Sequence, residues 1–179
     1  MLDKNALKKA FPVILLTTVV AISVNLLAFA DQLTRPQIEA QQQKKIQTLL
    51  TGMFPEMSKY DFENDIYIVY SDGAKIGYAF IAVGKGYGGD IDILVGLENK
   101  TTIKGISIVS HLETPGLGSR ITESFFTDQF VGLNIDGVVL KEDGGEVDAI
   151  TTSTISSTAV INAVRETAME KVKLIEDGE

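Results

Sequence analysis

The chain has 179 residues, one histidine, no cysteine and a formal net charge of −8, enough length for one domain with a single core. The absence of cysteine excludes disulfides, thiolate catalysis, iron–sulfur clusters and cysteine-based zinc sites, and a lone histidine leaves no HExxH pair or histidine cluster for a transition metal. The acidic surplus argues against nucleic-acid binding, and a Ser-His-Asp triad through His111 has no GxSxG elbow to support it.

From Ala10 to Ala30 the sequence AFPVILLTTVVAISVNLLAFA runs 21 residues without a formal charge. At about 1.5 Å per residue, such a run spans the hydrocarbon core of a bilayer. Asp3, Lys4, Lys8 and Lys9 precede it and Asp31 follows it. The positive-inside rule therefore predicts that residues 1–30 form a cytoplasmic N-terminus and one transmembrane helix, with the rest of the chain extracytoplasmic. A cleavable signal peptide is the competing reading, because AFA at 28–30 fits a small-x-small cleavage site. The run exceeds the roughly 7–15 apolar residues of a signal core, which favours a retained single-pass anchor in the cell membrane. Its polar side chains, Thr17, Thr18, Ser23 and Asn25, carry no charge, so this helix alone offers no ion path.

Residues 31–55 read as a connector helix, with Pro36 in a first turn, Ile38, Ile46, Leu49 and Leu50 as a narrow apolar stripe, and Gly52 and Pro55 ending it. Residues 56–179 form the predicted extracytoplasmic domain. DIYIVY and KIGYAFIAV flank the turn SDG, and DIDILVGLE and TIKGISIVS flank NKT, which predicts four strands in hairpins. Between the pairs lies GKGYGGD, either a flexible loop or a place where backbone approaches a ligand closely. It matches neither GxGxxG nor a P-loop. After the fourth strand comes HLETPGLGSR, where Pro115 fixes φ and Gly116 and Gly118 permit an unusual backbone around Leu117. That turn is either an ordinary Pro-Gly loop or one wall of a site for a flat ligand.

SRITESFFTDQFVGLN predicts a short helix with Phe125, Phe126 and Phe130 near helical spacing, and IDGVVLKEDGGEVDAI a return to strand. The last helix is expected from about Ser157 to Ile175, with Val160, Val164, Ala168 and Val172 on one face. The order points to an α+β fold, an antiparallel sheet carrying its helices on one side, preceded by the transmembrane helix.

Ahead of the last helix, the eight positions from Thr151 to Thr158 hold seven hydroxyl side chains. One would suffice to cap a helix. A helix start also offers free N–H groups and partial positive charge, which favour a phosphate. A threonine hydroxyl there can be esterified to a phosphoryl group. An ester keeps a cofactor from being lost by dissociation outside the cell.

ETPGLG at Glu113 to Gly118, together with DAITTSTIS at 148–156, resembles the FMN-binding domain shared by the G subunit of Rnf complexes and the C subunit of sodium-translocating NADH:quinone oxidoreductases. The family's second block reads D-x-x-S-G-A-T-x-S/T. Asp148 and Thr154 are in register with it, while Thr151, Thr152 and Ser153 stand where the family usually has Ser, Gly and Ala. The resemblance implies FMN esterified through its phosphate to Thr154 by a flavin transferase that uses FAD and a divalent metal. Asp148 and the hydroxyl cluster would be read by that transferase. Thr151, Thr152, Ser153, Glu113, Thr114, Gly116, Leu117 and Gly118 would form the cofactor site, with Leu117 against the ring and Tyr87 able to stack. No catalytic residue and no metal site is implied, and His111 stays either a flavin neighbour or a surface residue.

The function implied is an electron-transfer subunit of an Rnf-type membrane complex that couples ferredoxin and NAD redox chemistry to Na+ or H+ translocation, with other membrane subunits as partners. The alternatives are a stand-alone anchored flavin carrier serving external acceptors and a flavin-free anchored binding module.

Overall fold

The computed structural model describes the backbone of residues 4–177 and the side chains of 11–38 and 40–175. Residues 1–3, part of the expected cytoplasmic segment, lie outside the described residues, as do the side chains of Lys4, Lys8 and Lys9 on which the expected orientation rests. By its contacts the chain divides into two units, Met1–Lys44 and Lys45–Glu179.

The first element, α1 (Lys4–Met53), is one helix of 50 residues. The expected break before a separate connector is absent, and Pro36 lies inside the helix instead of in a first turn. A proline inside a helix removes one i to i−4 donor, but no glycine occurs around it, and both preceding residues make side-chain contacts one turn back along the helix. Thr34 Oγ donates to Ala30 O at 2.9 Å, and Arg35 pairs with Asp31 at 2.9 Å. The most apolar window of this helix has a mean hydropathy of 2.4, and by length and composition it is able to cross a membrane.

The second unit begins with the last turns of α1, inside the expected connector. Five strands follow: β1 (Lys59–Glu63), β2 (Ile66–Ser71), β3 (Ala74–Lys85), β4 (Asp90–Leu97) and β5 (Ile103–Ser110). They form one antiparallel sheet in sequence order. Two-residue turns join the first three strands. Asn64 and Asp65 have φ of 51° and 61°, and Asp72 and Gly73 have φ of 49° and 83°; positive φ at both positions matches the right-handed twist of a hairpin. The strand β1 is an addition to the four expected. Most of its side chains are exposed, so its sequence lacks the alternation that marks the others.

The helix α3 (Thr154–Asp177) packs on one face of this sheet, its Val160, Ile161, Val164 and Ala168 joining Phe80, Ala82, Ile93 and Val95 in the main core. The other face is covered too, which corrects the expectation of helices on one side only: Leu50 and Phe54 pack on Val69, Ala79 and Leu94. Both faces of β3 and β4 are therefore apolar, one set of alternate residues for each core. Space under Phe54 is made by glycine. A Cβ at Gly77 would lie 2.5 Å from Leu97 O and 2.6 Å from Phe54 Cε1.

Between β5 and α3 the chain is irregular. The predicted short helix is a 3₁₀ turn at Gly118–Thr122, then α2 (Ser124–Thr127) and a second 3₁₀ turn at Asp128–Phe130. Phe126 and Phe130 are buried edge to face, 5.5 Å apart, while Phe125 is exposed under the Arg120 guanidinium. The strand expected over 135–150 is not formed. Instead the segment holds 3₁₀ turns at Ile135–Gly137 and Lys141–Asp143, and isolated bridges pair Asn134 with Thr102 and Leu140 with Val147. The Asn134 side chain accepts the Asp136 N–H, and Gly144 takes φ of 88°. Val138, Val147 and Ile150 enter the core singly from these turns. The last helix starts three residues earlier than expected because Ser157 ties it back, donating from N and Oγ to Ser153 O at 2.9 and 3.0 Å.

Truncating Phe54 to alanine is expected to cost about 3–5 kcal/mol of stability, and Gly77→Ala about 1–3 kcal/mol, because the clash is with backbone. Denaturant unfolding of the full chain in detergent measures both, and parent-like stability of Phe54→Ala would refute the second core.

Candidate functional site

The start of α3, the Glu113–Gly118 turn and the glycine-rich loop after β3 enclose a cleft of ≈ 460 Å³. It is lined by Tyr87, Glu113, Thr114, Leu117, Gly118 and the consecutive residues 151–156. The two motifs singled out in the sequence thus face each other. Of the predicted cofactor residues only Gly116 is not part of the lining. It sits in the turn with φ of 76° and donates its N–H to Ser119 Oγ at 2.9 Å.

Glu113 builds the wall. It is 5% exposed, and both carboxylate oxygens are engaged: Oε1 accepts the Gly88 N–H at 2.9 Å, and Oε2 accepts the Ser156 hydroxyl at 2.6 Å. A buried carboxylate needs such donors. The glycines leave room for it, since a Cβ at Gly86 or Gly118 would fall on the carboxylate and one at Gly88 on the Leu112 carbonyl. Close approach is therefore the reason for Gly86 and Gly88 in GKGYGG, while Gly89 takes φ of 148°, and three segments distant in sequence are fastened at one side chain. His111 Nδ1 accepts the Glu113 N–H at 3.2 Å and is not part of the lining.

Thr154, the first residue of α3, is exposed on the cleft, as are Thr151 and Thr152. Ser153 and Ser156 are buried. Among the described residues no acceptor takes the backbone N–H groups of Thr154, Ile155 and Ser156, the usual condition of a first helical turn. Thr152 does not have a positive φ, so its backbone does not call for the glycine that the resemblance leads one to expect there. Tyr87, Leu117 and Ile155 are exposed apolar groups at this cleft.

Asp148 is not in this cleft. It lines a second one of ≈ 630 Å³ that shares Thr151 and Thr152 with the first. Its carboxylate pairs with Lys141, and Gln129 grips its backbone, accepting the Asp148 N–H at 2.8 Å and donating to its carbonyl at 3.4 Å. Sequence reasoning did not single out Ser156, Gln129 or Lys141. Ser156 stood within the hydroxyl cluster, but nothing in the sequence pointed to Gln129 or Lys141.

The FMN-binding domain family matches residues 86–168, a span that contains both walls of the Thr154 cleft. Over nearly its whole length the chain is similar to the G subunit of the ion-translocating oxidoreductase complex of Methanosarcina acetivorans, at 30% identity covering 92% of this chain and 94% of the relative. The chain belongs to this family of G subunits. Within it, the G subunit of the proton-translocating ferredoxin:NAD(+) oxidoreductase complex of Clostridium ljungdahlii is 33% identical, covering 91% of each chain. In fold, the chain is similar to the C subunit of the Na(+)-translocating NADH-quinone reductase of Parabacteroides distasonis, with a TM-score of 0.51 and 27% identity over 60% of this chain and 61% of that one.

Glu113→Ala leaves the Gly88 N–H and the Ser156 hydroxyl without their acceptor, each costing about 1–3 kcal/mol where it stays buried. Glu113→Gln keeps the shape and one acceptor oxygen and is expected to lose less. Thermal unfolding orders the three proteins, and an alanine variant as stable as the parent would refute the clasp.

Proposed function

We propose that this chain is an electron-transfer subunit carrying FMN, esterified through its phosphate to Thr154 Oγ, in a membrane complex that couples ferredoxin and NAD redox chemistry to translocation of Na+ or H+. The observation that carries this reading is the placement of Thr154. Its hydroxyl is exposed at the N-terminus of α3, on a cleft inside the FMN-binding domain.

The residues present fit the group. Free N–H groups of the first turn suit a phosphoryl oxygen, and the buried Ser153 Oγ has no partner within the protein. Leu117 and Ile155 offer apolar contact to a flat ring system, and Tyr87 is placed to stack on it. When bound, FMN supplies the acceptance and release of electrons, while the protein fixes its position and surroundings. Thr154 serves as an attachment point, Glu113 shapes the wall, and Gly116 keeps the turn.

A flavin transferase using FAD is the maturation partner. It reaches Thr154 over an exposed surface, since Thr151, Thr152 and Asp148 are all open to solvent. The apolar part of α1 serves as a single-pass anchor with its N-terminus in the cytoplasm and the flavin domain outside. The names of the relatives as parts of complexes support membrane partners that deliver and remove electrons and supply the ion route.

Intact-protein mass after co-expression with a flavin transferase is expected to show one FMN adduct, with ultraviolet-excited fluorescence surviving denaturing electrophoresis. Thr154→Val is expected to abolish both signals. An unmodified parent chain in that experiment would overturn the covalent reading.

A further inference from the structure

Ser153 immediately precedes α3, the position from which a serine normally accepts an N–H of the first turn. Its Oγ does not do so. The residue is 7% exposed, lines the Thr154 cleft, and its hydroxyl has no hydrogen-bond partner. The backbone of Ser153 is fixed meanwhile: its N–H donates to Ile150 O at 2.7 Å, and its carbonyl accepts from both N and Oγ of Ser157. The neighbouring buried hydroxyls are satisfied. Ser156 donates to Glu113, and Ser157 also accepts the Ile150 N–H at 3.0 Å. A buried hydroxyl without a partner is costly, and among these three only Ser153 is in that state.

We infer that Ser153 Oγ is a donor kept for a non-bridging phosphoryl oxygen of FMN, completing an anion site with the backbone N–H groups of Thr154, Ile155 and Ser156. The inference rests on the reading of this cleft as the FMN site, but not on the ester bond. Three N–H groups at a helix start attract an anion without fixing it. A side-chain donor on a pinned residue adds direction, and a hydrogen bond to a charged acceptor is stronger than one to a neutral acceptor. Riboflavin, which lacks the phosphate, gains nothing from this group.

The test uses the full chain in detergent, made without a flavin transferase and carrying Thr154→Val so that no ester forms, titrated with FMN and with riboflavin by flavin fluorescence. FMN is expected to bind more tightly than riboflavin. Adding Ser153→Ala is expected to weaken FMN about tenfold, the effect of one lost hydrogen bond to a charged group, and to leave riboflavin unchanged within about twofold. Thermal unfolding without flavin is expected to show Ser153→Ala equal to or above its background, because an unpaired hydroxyl has been removed. Equal weakening of both flavins, no preference for FMN, or a lowered Tm of the flavin-free protein would overturn the proposal. A failure of the covalent reading looks different, since the parent chain then lacks the mass adduct while the preference for FMN remains.

Discussion

The carboxylate of Glu113 is the constraint on which the candidate site depends. It sits in the protein interior with two donors, one from the loop after β3 and one from the first turn of α3. A charge in that position holds those segments at hydrogen-bond distance or forfeits its solvation. The glycines on either side follow from the same requirement, because side chains there would occupy the carboxylate's space. With Ser156 spent on Glu113 and Ser157 on the helix start, the hydroxyls that remain at the mouth are those of Thr151, Thr152 and Thr154.

The clasp in turn needs α3 to be held at a fixed height over the sheet. Val160, Ile161, Val164 and Ala168 lock that helix into the main core. Gly84 in β3 lets it come close, since a Cβ there would lie 2.7 Å from Ala159 O. The register of an apolar interface thus fixes the position of a polar first turn. Interiors are packed too tightly for the helix to slide.

Much of this was legible in the sequence. The strands β2 to β5 showed themselves because half-buried strands alternate, and Asp72-Gly73 marked the hairpin between two of them. The strand β1 did not, because KYDFE buries almost nothing and is held by pairing with β2. Val138, Val147 and Ile150 looked like strand residues for their apolar character, but each is buried from a separate irregular turn, a tertiary arrangement with no period to detect. In the site, the density of hydroxyls and the ETPGLG turn were visible and do meet at one cleft. The role of Glu113 was not, because its two partners lie 25 and 43 residues away and only the folded chain brings them together. The separation of Asp148 from Thr154 into adjoining clefts was hidden for the same reason.

The cover that Leu50 and Phe54 provide bears on where this chain tolerates being cut. A cut at the end of the apolar run near residue 30 leaves the Ile46–Phe54 cluster on the sheet. Removal of everything before the first strand strips that layer and bares Val69, Ala79 and Leu94 on one sheet face, an apolar surface of the kind that drives self-association. The start of the packed domain in this protein is therefore set by side-chain packing inside a helix, several turns beyond the point where hydropathy alone would end the apolar run.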